Sequence, residues 1–279
     1  MNTDNIYAPR LMRVIEVTPE TPDIQTCRLR FEDEAVAESF SFATGQFGLY
    51  SCFGEGESTF CIASSPTREG YIECTFREVG RVTAGLARKN PGDFIGFRGP
   101  YGNSFPVEAM RGADVHIVGG GIGLAPLRSL ICYLLDNRAD YGELNIVYGA
   151  RSVDDLVYKT ELEEWADRDD LSLTLTVDPG GETPDWRGSV GFVPPVMDEL
   201  KLSRDNGWLV TCGPPIMIRF VFESLRRSGW DPEWVVTTLE NRMKCGLGKC
   251  GRCNVGDSYV CVDGPVYTMA QLDELPNDL

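Results

Sequence analysis

Two hydrophobic rhythms divide the chain. Over residues 1–108, apolar side chains come in short β-prone runs at 11–17, 24–31, 47–53, 60–63, 71–79 and 94–97. Turn formers separate them: Thr21-Pro22-Asp23, Gly54-Glu55-Gly56, Ser65-Pro66 and Asn90-Pro91-Gly92-Asp93. Many short strands at this spacing predict a β-barrel or sandwich. One short helix, over 82–89, interrupts them. After residue 112 the rhythm changes. Apolar strands at 115–118, 144–148, 171–177, 208–211 and 234–238 alternate with amphipathic helices at 125–137, 154–165 and 216–227. That alternation predicts an α/β domain with a parallel sheet. The tail from 239 reads as having little regular structure. The expected organisation is a β-barrel domain at 1–108, an α/β domain at 109–238 and a cysteine-bearing segment at 239–279.

Charge narrows the function classes. With 26 Lys and Arg against 42 Asp and Glu, the 279-residue chain carries a net charge of −16. Nucleic-acid recognition rests on cations that neutralise phosphates, so a nucleic-acid partner is excluded. The most apolar window, 115–135, is broken by Gly119, Gly120, Gly121, Gly123, Pro126 and Arg128, so it does not read as a membrane span. Residues 1–10 hold no apolar leader core. A cytoplasmic location is expected. The single histidine, His116, lies inside the apolar run 115–118 and reads as a core or strand-end residue. Ser-His-Asp and Cys-His catalysis therefore lose their base.

Ten cysteines carry the next signal. Cys27, Cys52, Cys61, Cys74, Cys132 and Cys212 are scattered and read mainly as small buried apolar side chains. Cys245, Cys250, Cys253 and Cys261 follow C-x4-C-x2-C-x7-C spacing. A disulfide framework does not suit a reduced chain of this length. Structural zinc sites usually present two close pairs separated by a longer stretch. The C-x4-C-x2-C…C order is that of plant-type 2Fe–2S ferredoxins. Gly246, Gly248 and Gly251 let the backbone wrap closely, with N–H groups free to point at sulfur. The spacing points to a 2Fe–2S cluster, and structural zinc is the alternative.

Two glycine-containing turns suggest a nucleotide. Val118-Gly119-Gly120-Gly121-Ile122-Gly123-Leu124-Ala125-Pro126 joins an expected strand to an expected helix. Glycines there permit close approach to a pyrophosphate, and the helix N-terminus adds unpaired N–H groups. Thr211-Cys212-Gly213-Pro214-Pro215 follows a later strand, and ligands of open α/β sheets bind over such strand ends. A plain turn is the simpler account of Gly-Pro. An iron–sulfur cluster exchanges one electron and a nicotinamide a hydride. A chain with both needs a converter, so a flavin is expected in the β-barrel domain.

The chain resembles the ferredoxin–NADP reductase superfamily over nearly its full length. It is most similar to the branch ending in a 2Fe–2S segment. That branch holds the gamma subunits of soluble nickel–iron hydrogenases (sulfhydrogenases), the corresponding subunit of anaerobic sulfite reductase and the electron-transfer subunit of class 1B dihydroorotate dehydrogenase. Residues 239–253 and 259–266, with Tyr148-Gly149-Ala150-Arg151 and Cys212-Gly213-Pro214-Pro215, look most like the hydrogenase-gamma group. The resemblance lays the superfamily's R-x-Y-S flavin motif on Ser58-Thr59-Phe60-Cys61, followed by Ile62-Ala63-Ser64. It departs from the pattern at Ser58, which lacks the phosphate-binding arginine, at Phe60, which can still stack on a flavin, and at Cys61, a weak donor. Gly80, Arg81, Val82 and Thr83 fall where an FAD pyrophosphate is bound, with Arg81 a substitute for the missing charge. Gly120, Gly121, Ile122 and Gly123 fall on the NAD(P) pyrophosphate. Cys212, Gly213 and Pro214 fall beside the nicotinamide, with Cys212 as a structural thiol the other reading. Arg151 stands where an acid would favour NAD and leans toward NADP.

The resemblance implies an oxidoreductase of diaphorase type. It would relay electrons between NADH or NADPH, FAD, a 2Fe–2S cluster on the four clustered cysteines, and another redox subunit of a complex built on a hydrogenase, heterodisulfide reductase or sulfite reductase. No residue is singled out with certainty as catalytic; Cys61 and Cys212 lie nearest the flavin and nicotinamide positions. Three alternatives stand beside it. One is the dihydroorotate dehydrogenase subunit, which usually has a longer spacing before its last cysteine. Another is a stand-alone reductase feeding an oxygenase or ferredoxin. The third is a non-catalytic nucleotide-binding protein with structural zinc.

Overall fold

The computed structural model describes residues 5–276. Residues 1–4, part of the stretch read above for a leader, and 277–279, the end of the cysteine-bearing tail, lie outside the described residues. The first half holds β1 (Arg10–Pro19), β2 (Ile24–Phe31), α1 (Glu34–Ser39), β3 (Phe47–Cys52), β4 (Gly56–Cys61), β5 (Ile72–Arg77), α2 (Arg81–Ala87) and β6 (Phe94–Tyr101). Then come β7 (Asp114–Gly120), α3 (Leu124–Asp136), β8 (Leu144–Ala150), α4 (Lys159–Ala166) and β9 (Ser172–Val177). They are followed by β10 (Ser189–Val190), α5 (Val193–Glu199), β11 (Gly207–Cys212), α6 (Pro215–Arg227) and β12 (Val235–Thr238). The tail adds β13 (Asn254–Val255), β14 (Ser258–Tyr259), β15 (Val266–Thr268) and α7 (Met269–Asp273).

Packing divides these elements into two compact units. Among the described residues, one holds 5–104, 128–133 and 239–266; the other holds 105–127, 134–238 and 267–276. Residues 239–266 of the tail pack within the first unit. In the first unit six antiparallel strands run in the order β4-β3-β6-β1-β2-β5. The two edge strands curl toward each other: the rings of Phe60 on β4 and Phe76 on β5 lie 5.4 Å apart. This is the barrel-like sheet that the short alternating runs predict. Its interior is filled by Met12, Leu29, Tyr50, Ile62, Ile72, Phe76, Ile95 and Phe97. The polar start of β4, Glu57-Ser58-Thr59, hides it from an apolar pattern, and the sequence reading begins it at Phe60.

The second unit carries the order β10-β9-β8-β7-β11-β12-β15, and the strands from β10 to β12 are all parallel. Helix α4 starts at Lys159, five residues later than the amphipathic pattern suggests, because Tyr158 takes a left-handed conformation (φ 56°) just before it. Helix α5, with Pro194 and Pro195 in its first turn, is missed by periodicity yet buries Val193, Val196 and Met197. Helix α7 is also unexpected. Thr268 and Gln271 form its capping box, and Met269 is fully buried among Leu209, Val235 and Val221.

A buried ion network braces the first unit. Arg128 Nη1 meets Glu73 Oε2 at 2.6 Å, and the two side chains are only 6% and 5% exposed. The same nitrogen donates to Ala63 O at 3.0 Å. Arg28 Nε reaches the other Glu73 oxygen at 2.8 Å. Ser129 Oγ donates to Ser64 O at 2.8 Å, and Ser64 Oγ accepts from Glu73 N at 3.1 Å. In the second unit His116 is buried. Its Nε2 donates to Ser203 O at 2.8 Å, its Nδ1 accepts from Asn145, and Trp230 meets it edge-on. It is a strand-interior core residue, as the apolar run implies.

Arg128→Met should cost about 3–5 kcal/mol in urea unfolding, because Glu73 would stay buried with one cation fewer. Adding Glu73→Gln should restore most of that loss; a single-variant loss under about 1 kcal/mol would show that the pair carries no such weight. Burial holds the His116 pKa below its ordinary 6.5, with the Ser203 carbonyl pulling the other way. The unfolded chain then takes up the proton first, so stability is full above pH 6.5 and is lost as pH falls below it. Unfolding at pH 7.5 and 5.5 should show that decline, and His116→Gln should reduce it.

Candidate functional site

Strand β4 sets the first cluster of candidate residues. Pairing with β3 puts Cys61 opposite Phe47, Thr59 opposite Leu49 and Ser58 opposite Tyr50. Alternation then places Ser58 and Phe60 on one face and Glu57, Thr59 and Cys61 on the other. Phe60 is half-buried, with one side packed on Tyr50 and Phe76 at centroid distances of 5.7 and 5.4 Å. Cys61 is half-buried and beyond it Ile62 and Ser64 are buried. Ile62 N donates to Gln46 O at 3.0 Å, and Ser64 Oγ is taken up by Glu73 N. Both serve the core. Thr59 Oγ1 is buried and has no hydrogen-bond partner. Nothing in the sequence pattern singles it out.

At the start of α2, Thr83 is buried and turned inward. Its hydroxyl donates to Gly80 O at 2.9 Å and accepts from Val79 N and Gly80 N. The first helical bond is Ala84 N to Gly80 O, so the N–H groups of Arg81, Val82 and Thr83 lie ahead of the helical ladder. Val82 packs on the barrel core. Arg81 is exposed and forks onto Glu55 Oε2 at 2.6 Å and Gly54 O at 2.9 Å. Its charge is thus already matched by a carboxylate.

Among the four clustered cysteines, the Cys250 thiol bears on the titration of Cys245 and the Cys253 thiol on that of Cys261, which also feels Cys245. Among the described residues no three Cys, His, Asp or Glu side chains converge as they would around a single ion. Backbone N–H groups are aimed at sulfur. Leu247 N and Lys249 N lie 3.4 and 3.3 Å from Cys245 Sγ, and Gly248 N lies 3.2 Å from Cys261 Sγ. Burial raises the Cys245 thiol, but the amides of Leu247, Cys250 and Lys249 outweigh it and hold it at about 7. Burial pushes Cys261 up to about 12, against the Gly248 amide. Gly248, at φ 67°, supplies the left-handed turn that presents this amide.

The cysteine loop is pinned to the barrel sheet. Arg98, at 6% exposure, grips Glu57 with Nε and Nη2 at 3.0 and 2.8 Å and donates from Nη1 to Cys245 O at 3.2 Å. Asn103 clamps the return strand: Nδ2 donates to Asp263 O and Val266 O, and Oδ1 accepts from Val266 N. Sequence reasoning missed Arg98, Glu57 and Asn103, since their partners lie far along the chain.

In the second unit, the glycine turn follows β7. Gly121 has φ 54° and open space where a side chain would stand. Its carbonyl accepts from Tyr148 Oη at 3.1 Å, and that oxygen accepts from Val157 N. Gly123 faces the other way. A Cβ there would sit 2.6 Å from both Cys212 O and Gly213 Cα, and one on Gly120 would meet Met217 and Pro214. The turns 120–123 and 212–214 are therefore brought together, and Ile122 lies half-buried between the glycines. Cys212 is buried and its Sγ accepts from Thr238 Oγ1 at 3.0 Å. Arg151 is exposed after β8, facing Asp178 after β9. Burial raises the Asp178 pKa while Arg151 opposes the rise. Asp178 went unnoticed because β8–β9 pairing, not sequence proximity, brings it to Arg151.

Residues 117–223 match the family described as an oxidoreductase NAD-binding domain, and residues 240–273 match the iron–sulfur cluster binding domain of dihydroorotate dehydrogenase B. The chain is 40% identical to the sulfhydrogenase 1 subunit gamma of Pyrococcus furiosus, over 99% of this chain and 96% of that one. It is 32% identical to a probable dihydroorotate dehydrogenase B (NAD(+)) electron transfer subunit of Thermococcus kodakarensis, over 92% and 95%. Among solved structures, the NADH-dependent reduced ferredoxin–NADP oxidoreductase superposes with a TM-score of 0.76 at 26% identity, covering 95% of this chain and 90% of the other. A ferredoxin NADP+ reductase from Neisseria gonorrhoeae shares the fold, with a TM-score of 0.69 at 18% identity over 81% and 96%. With the barrel-like sheet, the paired glycine turns and the cysteine loop in one chain, the protein belongs to the family of ferredoxin-reductase-like, iron–sulfur-bearing electron-transfer subunits that includes the sulfhydrogenase gamma and dihydroorotate dehydrogenase B subunits.

Proposed function

We propose that this oxidoreductase relays electrons between NAD(P)H, FAD, a 2Fe–2S cluster and a partner redox subunit. The partner is proposed to be of hydrogenase type, by likeness to the sulfhydrogenase gamma subunit, and the complex to work in the cytoplasm. Four cysteines at C-x4-C-x2-C-x7-C spacing, within the stretch 240–273 that matches an iron–sulfur cluster binding domain, carry the reading. Two thiols for each of two irons is the ligand set of such a cluster, and amide N–H groups at the sulfurs favour its negative charge. Structural zinc is less well supported, because it asks four thiols to converge on one point.

The residues also fit a flavin. Phe60 offers a half-buried ring face near the end of β4. A bound flavin would exchange hydride with the nicotinamide and single electrons with the cluster. The chain's own work is placement. Phe60 would hold the ring plane, with Cys61 the weak donor at its edge. The free N–H groups of Arg81, Val82 and Thr83 would receive the pyrophosphate of FAD, and Arg81 would have to leave Glu55 to add charge. Gly120, Gly121, Ile122 and Gly123 would cradle the pyrophosphate of NAD(P). Cys212, Gly213 and Pro214 would bound the nicotinamide, with Thr238 orienting the Cys212 thiol. Arg151 suits the 2′-phosphate of NADP, but Asp178 beside it offers the acid that suits NAD, so both nucleotides remain in the reading.

Two variants separate these parts. Cys250→Ala should remove electron delivery beyond the flavin while NAD(P)H still bleaches the flavin bands, as read by anaerobic absorption spectra and by EPR of the reduced protein. Undiminished delivery with no cluster signal would sink the relay. Gly123→Ala must push the two turns apart, since its Cβ would lie 2.6 Å from Cys212 O. NADH and NADPH should bind roughly tenfold or more weakly, about 1.4 kcal/mol per decade, with flavin and iron content unchanged. Unaltered nucleotide affinity would show that the turn is not the cradle.

A further inference from the structure

The cysteine loop is cationic in an acidic protein. Residues 241–262 carry four cations, Arg242, Lys244, Lys249 and Arg252, and one acid, Asp257, in a chain of net charge −16. All four cations are exposed. Among the described residues none of the four has a side-chain hydrogen bond or an ion pair. Many arginines on other elements are matched: Arg13 with Glu32, Arg77 with Asp23, Arg111 with Glu108, Arg168 with Asp170 and Arg226 with Asp273. Unmatched charge is thus gathered where Cys250, the exposed ligand, reaches the surface.

The same loop exposes apolar area. Val262 is 51% and Tyr259 39% exposed, and Val262 N closes a turn onto Tyr259 O. Val262 also packs on Gly248, where a Cβ would meet it at 2.9 Å. An apolar centre with a charged rim is the anatomy of a protein–protein contact. A strongly acidic protein repels an acidic partner over most of its surface, so a local cationic rim admits such a partner at one place and in one orientation.

We infer that Arg242, Lys244, Lys249 and Arg252, with Val262 and Tyr259, form the face on which the partner redox protein docks, and that the partner presents an acidic surface around its own electron-transfer centre. The inference deepens the relay reading and rests on it for the direction of the electrons.

The test uses holoprotein with flavin and iron content verified. One arm measures binding without turnover. A fluorescein-labelled peptide of ten glutamates serves as the acidic probe, read by anisotropy at low and high salt. The other arm measures the reduction of ferricyanide, an anion, and of hexaammineruthenium(III), a cation, by NAD(P)H, each nicotinamide supplying two acceptor ions with one electron apiece. The rate left in Cys250→Ser, which reports acceptors reduced by the flavin directly, is subtracted. Arg242→Glu with Arg252→Glu should weaken peptide binding about tenfold, slow ferricyanide by a similar factor and speed the ruthenium complex. Salt should erase these differences. The same reversal at Arg187, an exposed residue of the second unit, should change little. Equal effects at Arg187 and at the loop, or peptide binding untouched by the loop reversal, would overturn the docking face. If neither acceptor is reduced beyond the Cys250→Ser level while the loop still governs peptide binding, the relay reading fails and the docking face stands.

Discussion

The buried contact between Arg128 and Glu73 is the constraint on which much of the first unit depends. A carboxylate at 5% exposure is tolerable only with its charge matched and its oxygens bonded. Arg128 supplies one match and Arg28 another, while Ser64 and Ala63 complete the network. Ala63 and Ser64 continue directly from the strand bearing Phe60 and Cys61. The network therefore holds the chain just past the proposed flavin strand at a fixed place.

The cysteine loop follows a similar logic. It has little regular structure, so its shape comes from what grips it. Arg98 reaches Cys245 O from the barrel sheet, and Asn103 holds the chain after Cys261 at three backbone atoms. Between those points the left-handed glycine Gly248 turns its amide toward Cys261. An iron–sulfur site needs sulfurs in position before the cluster arrives, and a loop fastened to a rigid sheet provides that more firmly than one tethered by its ends alone.

The nucleotide turns show how packing assigns different duties to similar glycines. Gly121 faces open space with a backbone that L side chains rarely adopt, whereas Gly123 is pressed against Cys212 and Gly213. One is glycine because of its left-handed backbone and the other for the sake of its neighbour turn. Both look alike in the run Gly119–Gly123. The hydroxyls tell the same story in the first unit. Thr83 and Ser64, both plausible ligand contacts by residue type, spend their oxygens on the backbone of α2 and on Glu73. Thr59, which no motif marks, is left without a partner, as are the buried hydroxyls of Thr44 and Tyr50.

The sequence by itself determined the two architectures, because strand and helix periodicities of apolar residues are local properties of the chain. It also determined the metal chemistry to the extent that four thiols at C-x4-C-x2-C-x7-C spacing are a local pattern, and it marked the glycine turn after β7. Tertiary structure alone decided which side chains surround those marks. Glu73 and Arg128 are 55 residues apart, Arg98 and Cys245 147, Asn103 and Val266 163. Strand β4 starts in polar residues that no apolar rhythm reveals, and α5 opens on two prolines that read as a loop until Val193, Val196 and Met197 are seen in the core. Hydrogen bonds and charge matching depend on positions in space, and only the folded chain brings those positions together.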